Sequence, residues 1–119
     1  MYQFLFHRLK SFQYAFEGIK HVFRTQKNFQ IHVIATLIVL SLGWNLGINT
    51  QEWAIIVLSI GWVWCLEMLN TAIELLVDII SPTYHPLAGK IKDIAAGAVL
   101  TSATAAFCIG CIIFLPYLL

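Results

Sequence analysis

The 119 residues are 60% apolar and only 11% charged, more apolar surface than a water-soluble domain of this size can bury. Seven Lys and Arg against six Asp and Glu leave a formal charge of +1, which excludes the broad basic field that recruits nucleic acid. The solvent of this chain is therefore partly lipid.

From the N-terminus, apolar residues recur in steps of three and four at Leu5, Leu9, Phe12, Phe16, Ile19 and Phe23, while Lys10, Gln13, Glu17, Lys20 and Arg24 take the other face. That period predicts an amphipathic helix over about 4–27, suited to lying in a membrane surface; docking in a protein groove is the alternative. The first long apolar run begins only at Ile31, after a charged and aromatic segment, so a cleavable leader is not expected. Residues 31–48 are nearly free of charge and just long enough to span a bilayer core of about 30 Å. A turn is expected at 49–52, bracketed by Trp44 and Trp53 as an aromatic belt. The second span is expected over 53–80, stopped by Ser81-Pro82 because proline disfavours helical geometry in the residue before it. The third is expected over 92–115, ending at Pro116 and rich in small residues from Ala95 to Gly110 that let helices approach closely.

All seven basic residues lie before Ile31 or at 90–92. The positive-inside rule then places the N-terminus and the 81–92 loop in the cytoplasm, with the 49–52 turn and the C-terminus outside. The expected fold is an all-α integral membrane protein of one domain, with an N-terminal surface helix and three transmembrane helices.

Along the second span, Glu67, Asn70, Thr71, Glu74 and Asp78 share one helical face. At about 1.5 Å per residue Glu67 lies roughly 21 Å from Trp53 and Glu74 roughly 31 Å, so the first is within hydrocarbon and the second near the cytoplasmic boundary. An ionised group at such depth costs on the order of 3 kcal/mol. A hydrogen-bond network joining helices explains one such residue better than a stripe of five. Glu67 suits a general base for a hydroxyl presented from lipid. Glu74 and Asp78 are hard oxygen ligands of the kind that hold Mg²⁺ beside nucleotide phosphates. Lys92-Asp93 is expected to open the third helix, where free N–H groups and the helix dipole favour phosphate; a snorkelling lysine beside a capping aspartate is the alternative. Ala88-Gly89-Lys90 lacks the first glycine and the Ser or Thr of a Walker loop, and no protein-kinase signature is present. His7, His21, His32 and His85 have no metal-ligand spacing, and Cys108 and Cys111 have no second pair, so neither set indicates zinc. The cysteines read as packing residues. The rival of another class is a non-catalytic oligomer or a proton or cation pathway through Glu67. Glu74, Asp78, Lys92 and Asp93 argue against it, because a nucleotide needs them and a conduction path does not.

The run Glu67-Met68-Leu69-Asn70-Thr71-Ala72-Ile73-Glu74, followed by Asp78, Tyr84-His85, Gly89 and Lys92-Asp93, resembles the prokaryotic diacylglycerol kinase family, which includes undecaprenol kinases. The resemblance covers nearly the whole chain. It implies a homotrimer in the bacterial cytoplasmic membrane that transfers the γ-phosphate of MgATP to the hydroxyl of undecaprenol or diacylglycerol. It further implies Glu67 as general base, Asn70 as its catalytic neighbour and Glu74 as the holder of the nucleotide's metal. Lys92, Asp93, Tyr14 and the segment Thr83-Tyr84-His85 match nucleotide contacts, and His7 or Arg8 lies near another. Gln26 stands where the family usually has a glutamate that shares the metal with Glu74; an amide oxygen can ligate Mg²⁺ but brings no charge. The segments Glu17-Gly18-Ile19-Lys20-His21-Val22-Phe23 and Asn28-Phe29-Gln30-Ile31-His32 lean towards the undecaprenol branch.

Overall fold

The computed structural model describes all 119 residues as four helices: α1 (Tyr2–Thr25), α2 (Lys27–Leu46), α3 (Thr50–Ile80) and α4 (Pro86–Leu118). The last three are long and apolar enough to cross a membrane, so the chain is an all-α membrane protein with an N-terminal helix and three spans.

Helix α1 buries only Val22, and its apolar face, from Phe4 to Phe23, is exposed. It ends one residue before Gln26, whose extended backbone (φ −107°, ψ 111°) turns the chain into α2. Gln30 crosses this corner, its Nε2 donating to the Phe23 carbonyl at 2.9 Å. Helix α2 stops at Gly47, the one residue with positive φ (64°). A left-handed cap of this kind is open to glycine because it has no Cβ, and here the Ile48 N–H closes onto the Gly43 carbonyl at 3.3 Å.

The turn between α2 and α3 is shorter than the sequence suggests. Asn49 caps α3 by accepting from the Glu52 N–H at 2.9 Å, and Glu52 accepts in return from the Asn49 N–H at 3.1 Å. This reciprocal box draws residues 50–52 into the first helical turn. A larger correction falls on α4, which begins at Pro86 instead of Lys92. His85 caps it, Nδ1 accepting from the Leu87 N–H at 3.1 Å, and proline suits the first helical position because its missing N–H would have had no partner. Lys92-Asp93 therefore lies nearly two turns inside the helix, where free backbone donors are gone. Pro116 does not end α4 either, since the helix continues to Leu118.

Helices α3 and α4 form an antiparallel pair tied at both ends. Lys92 is ion-paired with Asp78 at one end, and the Tyr117 hydroxyl donates to Glu52 Oε2 at 2.7 Å at the other. The buried residues of α3, among them Ile56, Val63, Glu67, Asn70 and Thr71, form one stripe, as do Ala95, Val99, Ser102 and Ile113 of α4. Near the Tyr117 end, α2 joins them around Ile48, Ile56, Ile113 and Phe114. Only 15 of 119 residues are buried, and the accessible surface is 9075 Å². A compact soluble protein of this mass exposes about 6,500 Å². The excess is faced by side chains such as Ile38, Leu58, Trp62 and Phe107, which suit lipid or other chains and not water.

Gly43 permits a close approach beside this cluster, because a Cβ there would lie 2.9 Å from Trp53 Cη2 and 3.1 Å from Ile48 Cδ1. Gly43→Ala is expected to destabilise the fold by about 1–3 kcal/mol through overpacking, read as a lower midpoint of thermal unfolding in detergent. An unchanged midpoint would show that the tryptophan has room to retreat.

Candidate active site

The polar stripe of α3 grades from buried to exposed along the helix. Glu67, Asn70 and Thr71 are 1%, 7% and 2% accessible, Glu74 is half-buried, and Asp78 is exposed. Helix α2 faces it with a stripe of its own, Asn28, His32 and Thr36, in steps of four. Two contacts set this register. Trp64 Nε1 donates to Thr36 Oγ1 at 3.1 Å, and the rings of Phe29 and Trp64 meet edge to face with centroids 5.1 Å apart.

Between these stripes and α4 lies a cleft of about 290 Å³, with Asn28, His32, Glu67, Asn70 and Glu74 on its polar walls and Ala96, Val99, Leu100 and Ala103 on the α4 side. The small residues of α4 leave this space open. Asn70 Nδ2 donates to Glu74 Oε1 at 3.2 Å, joining the two across one helical turn. Thr71 donates back to the Glu67 backbone carbonyl at 3.0 Å, so it does not engage the carboxylate. Glu67 Oε2 and Asn70 Oδ1 are buried without a hydrogen-bond partner. Unanswered polar atoms cost about 1–3 kcal/mol each and are rare in native proteins; two on one wall of one cleft set it apart from ordinary packing. His32 Nε2 is 3.7 Å from Glu67 Oε2, near enough to attract but too far for a hydrogen bond.

A second cleft, of about 420 Å³, adjoins the first towards the Tyr117 end. His32 and Ala103 line both, and beyond them the walls are mostly apolar, with Val39, Ile60, Trp64, Phe107 and Phe114. A cleft with polar walls thus adjoins an apolar trough suited to an aliphatic chain.

Of the residues the sequence singles out, the structure brings together Glu67, Asn70 and Glu74. Lys92 is held by Asp78, one turn beyond Glu74. Tyr14 and Tyr84 are exposed, 62% and 92% accessible, and Asp93 is exposed and does not line the cleft. His85 uses its ring to cap α4. Gln26 sits at the α1–α2 corner, its Nε2 donating to Thr25 Oγ1 at 3.4 Å, and does not line the cleft of Glu74. No three His, Cys, Asp or Glu side chains of one chain group at metal-binding distance. Sequence reasoning passed over His32 and Asn28. Their four-residue spacing and the presence of an imidazole in an apolar run were the available signals.

With this geometry in view, relatives identify the chain. The family model for prokaryotic diacylglycerol kinase matches residues 13–114. The chain belongs to the prokaryotic diacylglycerol kinase family. It is 49% identical to the undecaprenol kinase of Bacillus subtilis (strain 168) over 92% of its own length and 89% of that protein's. It is 42% identical to the diacylglycerol kinase of Synechocystis sp. over 93% of its length, spanning 64% of that longer protein. Identity to the diacylglycerol kinase of Escherichia coli (strain K12) is 29%, over 88% of this chain and 86% of that one. Membership makes this protein a membrane lipid kinase, which suits a polar chamber at the end of an apolar trough.

The Asp78–Lys92 pair is substantially exposed, its side chains 61% and 37% accessible, so water competes for both. Lys92→Met is accordingly expected to change stability by less than about 1 kcal/mol, measured by thermal unfolding in detergent. A larger fall would assign the pair a structural weight that its exposure argues against.

Proposed function

We propose that the protein transfers the γ-phosphate of MgATP to the primary hydroxyl of a membrane lipid, undecaprenol or diacylglycerol, at the inner face of the bacterial cytoplasmic membrane. The observation that carries this reading is the polar stripe from Glu67 to Glu74, with a buried carboxylate free of hydrogen bonds on the wall of a polar cleft that adjoins an apolar one. The 49% identity to the Bacillus subtilis undecaprenol kinase makes undecaprenol the first alcohol to try.

In this reading the lipid lies in the trough with its hydroxyl beside Glu67. The carboxylate takes the hydroxyl proton, the freed oxygen forms a bond to the γ-phosphorus, and the bridging bond to the β-phosphate breaks to release ADP. General-base assistance of this kind contributes about 10²–10⁴-fold, and holding the partners in line supplies much of the rest. Asn70 lies between the two carboxylates, one turn from Glu67, and steadies Glu74 by donating to it. Glu74 Oε2 makes no hydrogen bond, and its half-buried position at the wet end of the stripe suits a single hard ligand to Mg²⁺, which keeps most of its sites for water and phosphate. The bound ion would neutralise charge developing on the phosphate oxygens.

Tyr14, Gln26, Tyr84, His85, Lys92 and Asp93 complete a nucleotide site in this proposal, Gln26 as a second, uncharged metal ligand. Within one chain several of these are exposed or turned elsewhere, which supports a site finished by a neighbouring subunit in a homotrimer. The unburied apolar surface is consistent with such an assembly.

Purified protein with Mg²⁺ is expected to move labelled phosphate from ATP to undecaprenol or diacylglycerol, both supplied in the same assay. Glu67→Gln is expected to lower this rate by at least about 100-fold while the folded oligomer persists; a fully active variant would remove Glu67 as the base. Gln26→Glu is expected to lower the Mg²⁺ concentration needed for half-maximal rate, because it adds a charged ligand. An unaltered Mg²⁺ dependence would detach residue 26 from the metal.

A further inference from the structure

One side chain stands where the polar cleft and the apolar trough meet. His32 lines both, and its Nε2 is 3.7 Å from the carboxylate oxygen of Glu67 that is buried without a partner. Its own placement is held from behind. Thr36 Oγ1 donates to the His32 carbonyl at 2.7 Å and accepts from Trp64 Nε1 at 3.1 Å, so a two-bond relay fastens the backbone of His32 to α3 one turn from Glu67. Side chains that orient an active group are held in this way by outer contacts.

Among the side chains on the cleft walls, His32 is the one that approaches that oxygen within 4 Å as a charge-bearing partner, and Asn28, which shares the α2 wall, makes no hydrogen bond to it. Asn70 directs its amide N–H to Glu74, Thr71 reaches only the Glu67 backbone, and α4 presents Ala96, Val99, Leu100 and Ala103. With neither oxygen hydrogen-bonded, the buried Glu67 carboxylate lacks the polar contact that would fix which oxygen faces an incoming hydroxyl. A shift of under about 1 Å brings the imidazole within hydrogen-bond range, and such bonds often close only when substrate is present.

We propose that His32 is the positioning residue of Glu67. Its Nε2–H donates to Oε2, leaving Oε1 turned towards the hydroxyl that arrives along the trough. This rests on the kinase reading, with Glu67 as the base.

The test compares wild type, His32→Ala and His32→Gln in detergent micelles with MgATP and undecaprenol, and with diacylglycerol in parallel, measuring kcat, KM for MgATP, thermal midpoint and oligomer size. His32→Ala keeps the backbone carbonyl that Thr36 uses, so the fold is expected to stand. Its kcat is expected to fall at least about tenfold with KM for MgATP within about twofold and the midpoint unchanged. His32→Gln, whose amide places a donor near the Nε2 position, is expected to recover at least about a third of the loss on a logarithmic scale. A kcat within about threefold of wild type in His32→Ala overturns the proposal, as does a loss confined to KM or matched by loss of folded oligomer. So does a glutamine variant no better than alanine. Wild-type protein inactive on both alcohols strikes instead at the kinase reading beneath it.

Discussion

Inside a bilayer no water answers a polar atom, and this chain is arranged around that constraint. Its backbone is wound into helices. Several hydroxyls within the spans are satisfied locally: Thr36, Thr101 and Thr104 each donate to the carbonyl four residues back, and Ser102 to Val99. Trp64 finds Thr36. Against that background, Glu67 Oε2 and Asn70 Oδ1, buried and unanswered, are exceptions of the kind that function explains better than packing does.

The packing leaves room for the exception. Helices α3 and α4 are fastened at both ends, and α2 adds its bulk near the Tyr117 end, where Gly43 lets Trp53 approach. Towards the other end α2 is held by Phe29 and Thr36 against Trp64, while α4 offers Ala96 and Ala103. Small residues on one wall and a hydrogen-bonded brace on another make a cleft that neither collapses nor fills.

Much of this was legible in the sequence because lipid imposes simple rules. Length and apolarity gave the three spans, period gave the amphipathic α1, and face-sharing gave the stripe from Glu67 to Asp78. What escaped depended on local capping or on tertiary approach. The ring of His85 starts α4 at Pro86, and a side-chain cap of that kind leaves only a weak mark in sequence, so Lys92 was expected to open the helix. The Asn49–Glu52 box similarly shortened a turn. His32 was passed over because its partner is 35 residues distant, and only the tertiary fold shows which face of α2 meets α3. Gln26 is the converse case, since its expected kinship with Glu74 came from resemblance and the single chain keeps the two apart.

The arrangement answers a difficulty of any lipid kinase, which must bring a substrate confined to oil against one confined to water. A helix that crosses the boundary can do this with one face, because its rise converts sequence spacing into depth. Helix α3, 31 residues long, extends about 46 Å against a hydrocarbon core of about 30 Å, long enough to carry its last turns beyond the hydrocarbon. Glu67 and Glu74 are two turns apart, about 10 Å along the axis, with Asn70 midway and bonded to the latter. A longer separation would strand the hydroxyl from the phosphate; a shorter one would draw the metal-binding carboxylate into lipid or expose the base to water. On the kinase reading, two turns is a compromise between those costs, and it explains why the carboxylates lie on one helical face.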